Sequence, residues 1–399
     1  MEVVVHSQYH HKMERIKIVP RNNWQKSVEN LGFGFHTTNV PYWKEDAYYS
    51  FTMDEVLKLE KATEELWEMC LEAVQYVIDN RLYKKFSIPS KIISVIEKSW
   101  NEDAPSIYGR FDFGYDGTNI KMFEFNADTP TSLFEGGIIQ WFWLQDFSKD
   151  KDQFNSIHEK MIAYWATLKN YLYPGKLYFT CIKHSLEDLT NVEYMRDCAM
   201  QAGLETELIY IDDIGHDGIN FVDTNDKVIK NIFKLYPWEF MVNEKFIDQV
   251  IDTTQMHWIE PAWKMILSNK AILPILWELF PKCPYILECY FEEENTLKDY
   301  VRKPILSREG ANIQIIKNSK LIEETKGEYG SEGFICQEIF DIPKFDDKTP
   351  IIGSWVIGQQ SAGMGIREDS NLITGNLSNF VPHLISEEVT KFKFLEKKS

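Results

Sequence analysis

The amino-acid sequence predicts a mixed α/β protein, and three features lead to that class. Apolar residues recur at helical spacing through 53–80, a strand–helix–strand pattern covers 176–212, and short strand patterns alternate with glycine loops after residue 300. Strands that alternate with a helix indicate a β-α-β unit within an α/β layer. The 399 residues are enough for two or three packed subdomains.

The first long element is a helix over 53–80. Thr52 followed by Glu55 is a capping-box pattern, in which two side chains satisfy free backbone N–H groups at the helix start. Leu59, Ala62 and Leu66 then recur every three or four residues, which places them on one face. We expect this N-terminal helical segment to pack against the core.

The central β-α-β unit is formed by three successive patterns. KLYFTCI and ETELIYI are typical of strands, and the helical pattern NVEYMRDCAMQAG between them ends at Gly203. Residues 1–13 are expected to be a polar extension. A soft internal boundary is expected within 145–175, where no linker rich in Pro or Ser marks a division.

Composition excludes some classes of function. The net charge of -18 argues against binding to a nucleic-acid backbone, which needs clustered Lys and Arg. The apolar segment AILPILWELF has about half of the ~20 residues that a membrane helix needs, so no membrane partner is expected. Six cysteines without CxxC spacing, and a start without a signal-peptide pattern, predict a cytoplasmic protein with reduced thiols.

The segment RFDFGYDGTNIKMFEFNAD predicts a β-hairpin with an unusual polar face. Side chains alternate across a strand, so Arg110 and Asp112 share a face of the first strand. Glu124 and Asn126 likewise share a face of the second strand. A three-residue turn, GTN, would place Asp112 opposite Glu124 and Arg110 opposite Asn126. A four-residue turn would put the two polar faces on opposite sides of the hairpin.

In that register the two carboxylates need a cation between or beside them. Facing carboxylates about 5 Å apart at Cβ repel each other unless they are neutralised. Arg110 could neutralise them, and so could Mg²⁺, because Asp112, Glu124 and Asn126 all offer hard oxygen ligands. A surface hairpin with an ordinary salt bridge is the alternative that this segment alone leaves open.

The hairpin and three later segments together resemble the glutathionylspermidine synthase family. The hairpin motif extends to YGRFDFGYDGTNIKMFEFNADTPTSLFE. WKMILSNKAILP, KPILSREGAN and IGSWVIGQQSAGMGIREDSNLIT follow it in the family's order. The resemblance runs from about residue 14 onward and implies one synthetase unit over 14–399. The family's bifunctional members carry a further amidase domain, for which this chain is too short, so we expect synthetase chemistry alone.

The resemblance implies an ATP-grasp fold and an ATP- and Mg²⁺-dependent carboxylate–amine ligase. In such enzymes ATP phosphorylates a carboxylate to an acyl phosphate, which an amine attacks to give an amide. The implied partners are a small-molecule carboxylate and an amine, with a peptide and a polyamine as candidates. Two other functions stay open: an ATPase or phosphotransferase that uses the same site, and a non-catalytic nucleotide- or polyamine-binding protein. Neither a P-loop motif nor a GxGxxG dinucleotide motif is present.

The resemblance also implies roles for individual residues of the hairpin and the last motif. Asp112, Glu124 and Asn126 match the family's magnesium ligands. Arg110 and Arg367 match arginines that steady the carboxylate and the phosphoryl group, so both are expected to be catalytic. Arg110, Asp112 and Arg367 are also expected to bind ATP.

Further residues are implied at the nucleotide. Lys264 and Lys303 match lysines that hold ATP phosphates, a role that suits a flexible ammonium group. Gly310 lies in SREGAN, which resembles the loop over the phosphates. Gln337 and Glu338 lie where ATP-grasp enzymes hold adenine, although ordinary strand positions are the alternative.

The substrate pockets are less well defined by the resemblance. Thr129 and Thr131 follow the metal ligands, where relatives use hydroxyl groups to contact the carboxylate substrate. Helix capping is the alternative role for Thr131. Glu135 or Glu239 could meet an ammonium group of the amine, and each could equally be a residue on a helix surface.

Overall fold

The structure is a computed structural model, and it describes residues 13–38, 40–253, 255–375 and 378–387. The predicted polar extension therefore lies outside the described residues except for Met13. The backbone N–H of Met13 donates to Glu55 Oε1 at 2.9 Å, which ties the start of the described chain to the first long helix.

Ten α-helices occur in the described part of the chain: α1 (Trp24–Asn30), α2 (Met53–Asp79), α3 (Ile93–Asn101), α4 (Gln140–Phe147), α5 (Ile157–Thr167), α6 (Leu186–Gln201), α7 (Trp238–Met241), α8 (Ile247–Asp252), α9 (Lys264–Leu267) and α10 (Ile272–Leu279). The predicted helix over 53–80 is confirmed as α2. Its capping box is also confirmed, since Thr52 Oγ1 accepts from the Glu55 N–H and Glu55 Oε2 accepts from the Thr52 N–H.

Nineteen β-strands occur in the same described residues: β1 (Glu14–Lys17), β2 (Ala47–Phe51), β3 (Tyr108–Tyr115), β4 (Ile120–Asn126), β5 (Leu177–Cys181), β6 (Thr206–Tyr210), β7 (Gly215–His216), β8 (Phe221–Val222), β9 (Asn231–Lys234), β10 (His257–Ile259), β11 (Cys289–Phe291), β12 (Tyr300–Pro304), β13 (Gln314–Lys317), β14 (Lys320–Glu324), β15 (Phe334–Glu338), β16 (Thr349–Ile357), β17 (Gln360–Asp369), β18 (Asn379–Val381) and β19 (His383–Ile385).

Two antiparallel sheets position the site. The central sheet has the order β18-β17-β16-β3-β4, and the covering sheet has the order β11-β15-β12-β13-β14. A parallel sheet, β10-β9-β5-β6, contains the predicted β-α-β unit as β5, α6 and β6. The other sheets are β1-β2-β19 and the hairpin β7-β8. The predicted mixed α/β class is confirmed, whereas the boundary within 145–175 stays a prediction.

The aromatic face of the β3–β4 hairpin packs into the core. The Phe111 ring stacks on Phe125 at 4.0 Å between centroids, and the Phe125 ring contacts Trp67 of α2 edge-on at 6.0 Å. These three side chains are buried, and each large apolar side chain contributes about 1.5–3 kcal/mol when it leaves water. Because side chains alternate along a strand, burying the aromatic face turns the polar face toward the covering sheet.

Two further findings concern the helices and the cysteines. No described helix combines the length and apolar character that crossing a lipid bilayer requires. All six cysteines lie in the described residues, and all are free thiols.

Candidate functional site

The hairpin has the predicted pairing. Asp112 lies opposite Glu124, and Arg110 lies opposite Asn126. All four side chains therefore face the same side of the central sheet, as the alternation of side chains requires.

The predicted reason for this pairing is wrong. Near the turn Tyr115 pairs with Ile120, a register that a three-residue GTN loop would not give. An irregularity follows between Asp112 and Phe113, where Phe123 is the extra residue of β4. This β-bulge shifts the register by one residue and returns the carboxylates to one face.

The bulge also joins the hairpin to the covering sheet. Lys303 Nζ donates to the Phe123 carbonyl at 2.9 Å, and Gln337 Nε2 donates to the Met122 carbonyl at 3.1 Å. Lys303 Nζ also donates to Gln337 Oε1 at 2.6 Å. The edge strand β4 is thus covered by two side chains of the facing sheet, which fixes the distance between the sheets.

A cavity of about 230 Å³ lies between the central and covering sheets. The structure brings most of the predicted site residues to its wall, namely Arg110, Asp112, Glu124, Asn126, Thr129, Thr131, Lys303, Gly310, Gln337, Glu338 and Arg367. The wall also carries apolar side chains from both sheets, among them Val301, Ile315 and Ile351. One cavity therefore combines an apolar surface with a dense set of charges.

Asp112 is held between two arginines. Arg110 donates from Nε and Nη2 to the two carboxylate oxygens at 2.7 and 3.1 Å, and Arg367 Nη2 donates at 2.7 Å. Arg110 Nη1 donates to the Thr131 carbonyl at 2.6 Å. Burial lowers the pKa of Arg110, but Asp112 more than offsets this and keeps the guanidinium charged.

Glu124 is ionised in a half-buried position. Lys270 Nζ lies 3.1 Å from Glu124 Oε2, and Asn126 Nδ2 donates to Oε1 at 3.1 Å. Burial raises the pKa of Glu124, but the charges of Lys270 and Lys303 hold it well below its usual range. Burial lowers the pKa of Lys303 to about 8, although Glu124 opposes that shift.

Lys264 is the predicted residue that the structure does not bring to the cavity, so its assignment to ATP is corrected. Its side chain is completely buried, and Nζ donates to Glu260 Oε2 and Ser106 Oγ, both at 2.8 Å, and to the Tyr108 carbonyl. This ammonium group supports the start of β3 from within the core. The sequence contains a signal for this ion pair, because Lys264 follows Glu260 by four residues.

Lys270, six residues later in the same motif, was missed from the sequence. Besides contacting Glu124, its Nζ donates to the Ser307 carbonyl at 2.6 Å. Its contacts are therefore with the hairpin and with the loop that carries Gly310. Both lysines stand in WKMILSNKAILP, and their identity alone does not distinguish the one paired with Glu260 from the one that contacts Glu124.

Arg308 was also missed. Its Nη1 and Nη2 donate to Thr129 Oγ1 at 2.9 and 3.0 Å, and its Nε donates to Glu239 Oε1 at 2.8 Å. Glu239 thus meets a cation of its own chain. The next residues, Glu309 and Gly310, have positive φ angles of 55° and 68°, and Gly310 leaves no space for a Cβ beside the Thr374 carbonyl.

A second cavity of about 280 Å³ adjoins the first, and Thr131 and Arg367 line both. Tyr42 and Glu187 also line the second cavity, and the Tyr42 hydroxyl donates to Glu135 Oε1 at 2.7 Å. Burial raises the pKa of Glu135 to about 7. Burial, with Glu135 close by, raises the pKa of Glu187 to about 8. Glu135 therefore lies behind the wall of this cavity, next to Tyr42.

The donor set fits Mg²⁺ that is shared with a ligand. The described residues contain no group of three or more His, Cys, Asp or Glu side chains arranged around a common metal position. Asn126 Nδ2 lies 3.1 Å from Glu124 and 3.4 Å from Asp112, so the three side chains converge on one point. Turning the amide would present its oxygen there. Mg²⁺ is commonly held by one or two carboxylates, with phosphates and water as further ligands.

Comparisons with known proteins identify the family of this chain. The sequence model of the family described as glutathionylspermidine synthase preATP-grasp matches residues 15–386. A Haemophilus influenzae protein named as an acid–amine ligase is 40% identical over 392 residues, which cover 93% of this chain and 99% of that protein.

Two longer relatives match over part of their length. The trypanothione synthetase of Crithidia fasciculata is 32% identical over 79% of this chain and 53% of its own length. The bifunctional glutathionylspermidine synthetase/amidase of Escherichia coli is 27% identical over 91% of this chain and 63% of its own length. The chain thus spans about half to two thirds of these two proteins.

Among solved structures, a Methylobacillus flagellatus protein named as a γ-glutamylcysteine synthetase aligns with a TM-score of 0.44 and 13% identity, over 75% of this chain and 82% of that one. The family match over nearly the whole chain, and the identity to a relative of matching length, carry the assignment. The chain belongs to the glutathionylspermidine synthase family and is a ligase that forms a carbon–nitrogen bond between an acid and an amine.

Proposed function

We propose that the protein uses ATP and Mg²⁺ to join a small-molecule carboxylate to an amine through an acyl phosphate. The observation that carries this proposal is the single cavity that holds Arg110, Asp112, Glu124, Lys303 and Arg367. Phosphoryl transfer needs positioned cations around the phosphates, because the developing charge spreads over their oxygens. A cavity with ionised carboxylates among basic side chains meets that need.

The nucleotide would lie between the two sheets. The apolar residues of the covering sheet would enclose the base beside Gln337 and Glu338, and Lys303 and Lys270 would meet the phosphates. Asp112 and Glu124, with the amide oxygen of Asn126, would hold Mg²⁺, which neutralises charge on the phosphate oxygens. The backbone around Gly310 would cover the phosphates from the other side.

The carboxylate substrate would bind where Arg308 and Thr129 meet the cavity. Its oxygen attacks the terminal phosphorus of ATP, the bond to ADP breaks, and an acyl phosphate forms. Arg110 and Arg367 stabilise the transferred group, because guanidinium groups bind phosphate oxygens with two parallel hydrogen bonds. Closure by the loop keeps water from the acyl phosphate.

The amine would enter through the second cavity, on the far side of Arg367 and Thr131. An ammonium group would meet Glu187 in its wall, with Glu135 behind Tyr42. The amine must lose a proton before it attacks the acyl carbon and releases phosphate. Carboxylates with pKa values raised to about 8 and about 7 are suited to accept that proton near neutral pH.

The test is a phosphate-release screen of acids and amines with ATP and Mg²⁺, with the product identified by mass spectrometry. We expect phosphate and amide in equal amounts, and only when both substrates are present. The same rate of phosphate release without any amine would contradict the proposal and support an ATPase.

We also propose a cytoplasmic location, because all six cysteines are free thiols, which agrees with a reducing compartment.

A matched variant separates chemistry from stability. Glu124→Gln keeps the shape of the side chain and its contact with Asn126 but removes the charge that Mg²⁺ and Lys270 need. We expect turnover to fall by about 100-fold, the size of effect typical of electrostatic groups in active sites. The midpoint of urea unfolding should fall only modestly, because Lys270 keeps the Ser307 carbonyl and Lys303 keeps the Phe123 carbonyl as partners. Normal turnover in this variant would contradict the metal assignment.

A further inference from the structure

The side chain of Arg308 is docked on two acceptors that belong to one rigid frame. Asp128 Oδ2 accepts from the Trp238 N–H at 2.8 Å, and Lys234 Nζ donates to Asp128 Oδ1 at 2.7 Å. Asp128 and Lys234 are completely buried. This frame fixes the two residues that follow its members in sequence, Thr129 after Asp128 and Glu239 after Trp238.

The two acceptors use different edges of the guanidinium group. Glu239 accepts from Nε, whereas Thr129 Oγ1 accepts from both terminal nitrogens of Arg308. The Phe240 ring lies 5.6 Å from the guanidinium carbon. A ligand in the cavity can therefore take the terminal nitrogens while Glu239 keeps its hydrogen bond.

We propose that Glu239 is a positioning residue that holds Arg308 against Thr129 and keeps the loop 307–312 closed before any substrate binds. The loop spans the wall of the cavity at Arg308, Glu309 and Gly310. Lys270 ties its first residue through the Ser307 carbonyl, and the Glu239–Arg308 ion pair ties its next residue to α7. The loop must then open for the substrate to enter. When the loop closes again, Glu239 has already oriented Arg308 toward the cavity.

The first test is hydrogen exchange on the unliganded protein. Glu239→Gln should raise the exchange rate of the amides in 307–312 about tenfold, because the loop loses its charged tie. The matched control is Glu292→Gln, which removes another Arg–Glu pair, with Arg302 of β12 at 2.6 Å, that does not line the cavity. The control should leave exchange in the loop unchanged. Unchanged exchange in Glu239→Gln would overturn the proposal.

A second test asks whether Glu239 acts through Arg308. In an Arg308→Gln background, adding Glu239→Gln should not raise the exchange rate further. An additive increase would overturn the proposal, because residues that act as one unit are not additive.

A third test measures enzyme kinetics, and it rests on the proposed function. Glu239→Gln should raise the KM for the carboxylate substrate about tenfold and leave kcat within twofold, since orientation of Arg308 is lost but the reacting groups stay. A change in kcat alone would overturn the positioning role. Failure of the wild-type protein to form any amide would instead overturn the proposed function. The hydrogen-exchange results would still test the role of Glu239, because they do not depend on activity.

Discussion

Basic side chains flank both carboxylates of the hairpin, Asp112 and Glu124. Arg110 and Arg367 lie on Asp112, and Lys270 lies on Glu124. A buried carboxylate without such partners would take up a proton, since desolvation disfavours the charged form. We infer that Glu124 is ionised before a cation binds, and that the basic groups on both carboxylates then turn toward the phosphates.

The two lysines of one motif should respond differently to substitution. Lys264→Met leaves Glu260 buried without its partner, so we expect a loss of about 3–5 kcal/mol in the free energy of unfolding. Lys270→Met should lower ATP-dependent turnover about 100-fold and cost less stability than Lys264→Met, because Glu124 is partly exposed and keeps Asn126 and the charge of Lys303. Urea unfolding and phosphate release measure the two effects. Full turnover of Lys270→Met would contradict its assignment to the phosphates.

At the residue scale, much of the candidate site could be predicted from the sequence. The hairpin residues were found because alternation along a strand assigns Arg110, Asp112, Glu124 and Asn126 to common faces. The burial of Lys264 could not be found in this way, because it depends on tertiary partners. The roles that we propose for Lys270 and Arg308 depend equally on contacts between distant segments.

At the element scale, the β-bulge of β4 sets the geometry of the site. The sequence contains a signal for it: the apolar residues Ile120 and Met122 stand at even positions, whereas Phe123 and Phe125 stand at odd ones. The apolar side chains therefore change phase between Met122 and Phe125, which indicates one extra residue in the strand. The length of the turn alone could not predict the register at Asp112, because the bulge shifts the pairing by one residue beyond the turn.

The pairing of β16 with β3 requires a glycine. Gly353 lies opposite Asp112, and a Cβ at this position would lie 2.8 Å from Arg110 Cδ. Gly353→Ala should displace the guanidinium group from Asp112 and lower turnover at least tenfold, with a stability loss of about 1–3 kcal/mol from overpacking. Gly215→Ala in the remote β7–β8 hairpin is the control, and we expect it to leave turnover unchanged. Equal turnover in both variants would contradict this steric role.

Elements with local signals were predicted well. The capping box of α2 and the β5–α6–β6 unit were confirmed because their patterns lie within short stretches of sequence. The order of strands in the central sheet could not be predicted, since β3 pairs with β16 more than 200 residues away along the chain. Such long-range pairing leaves no local pattern.

At the scale of the whole molecule, His383 joins parts of the fold that are distant in sequence. It lies in β19, its Nδ1 donates to Gln140 Oε1 at 2.9 Å, and its Nε2 accepts from the Phe154 N–H at 3.2 Å. Burial lowers the pKa of His383 to about 3. The folded protein therefore keeps this imidazole neutral under conditions in which an exposed histidine takes up a proton.

The stability of the protein should consequently fall in acid. Below the ordinary histidine pKa of about 6.5, His383 is protonated in the unfolded chain but stays neutral in the folded protein. His383 should therefore lower the free energy of unfolding by up to about 1.4 kcal/mol per pH unit as the pH falls from 6.5 toward 3. Urea unfolding at several pH values measures the slope. His383→Gln should be less stable at pH 7 and should lack this contribution, and an unchanged slope would contradict the assignment.

The most direct test of the central claim is a crystal structure with a non-hydrolysable ATP analogue and Mn²⁺, located by its anomalous scattering. The account predicts the nucleotide between the central and covering sheets and the cation bonded to Asp112 and Glu124 at about 2.1 Å. It also predicts that Arg367 and Lys270 turn from these carboxylates to the phosphates. A cation bound elsewhere, or carboxylates still paired with Arg367 and Lys270 beside a bound nucleotide, would contradict it.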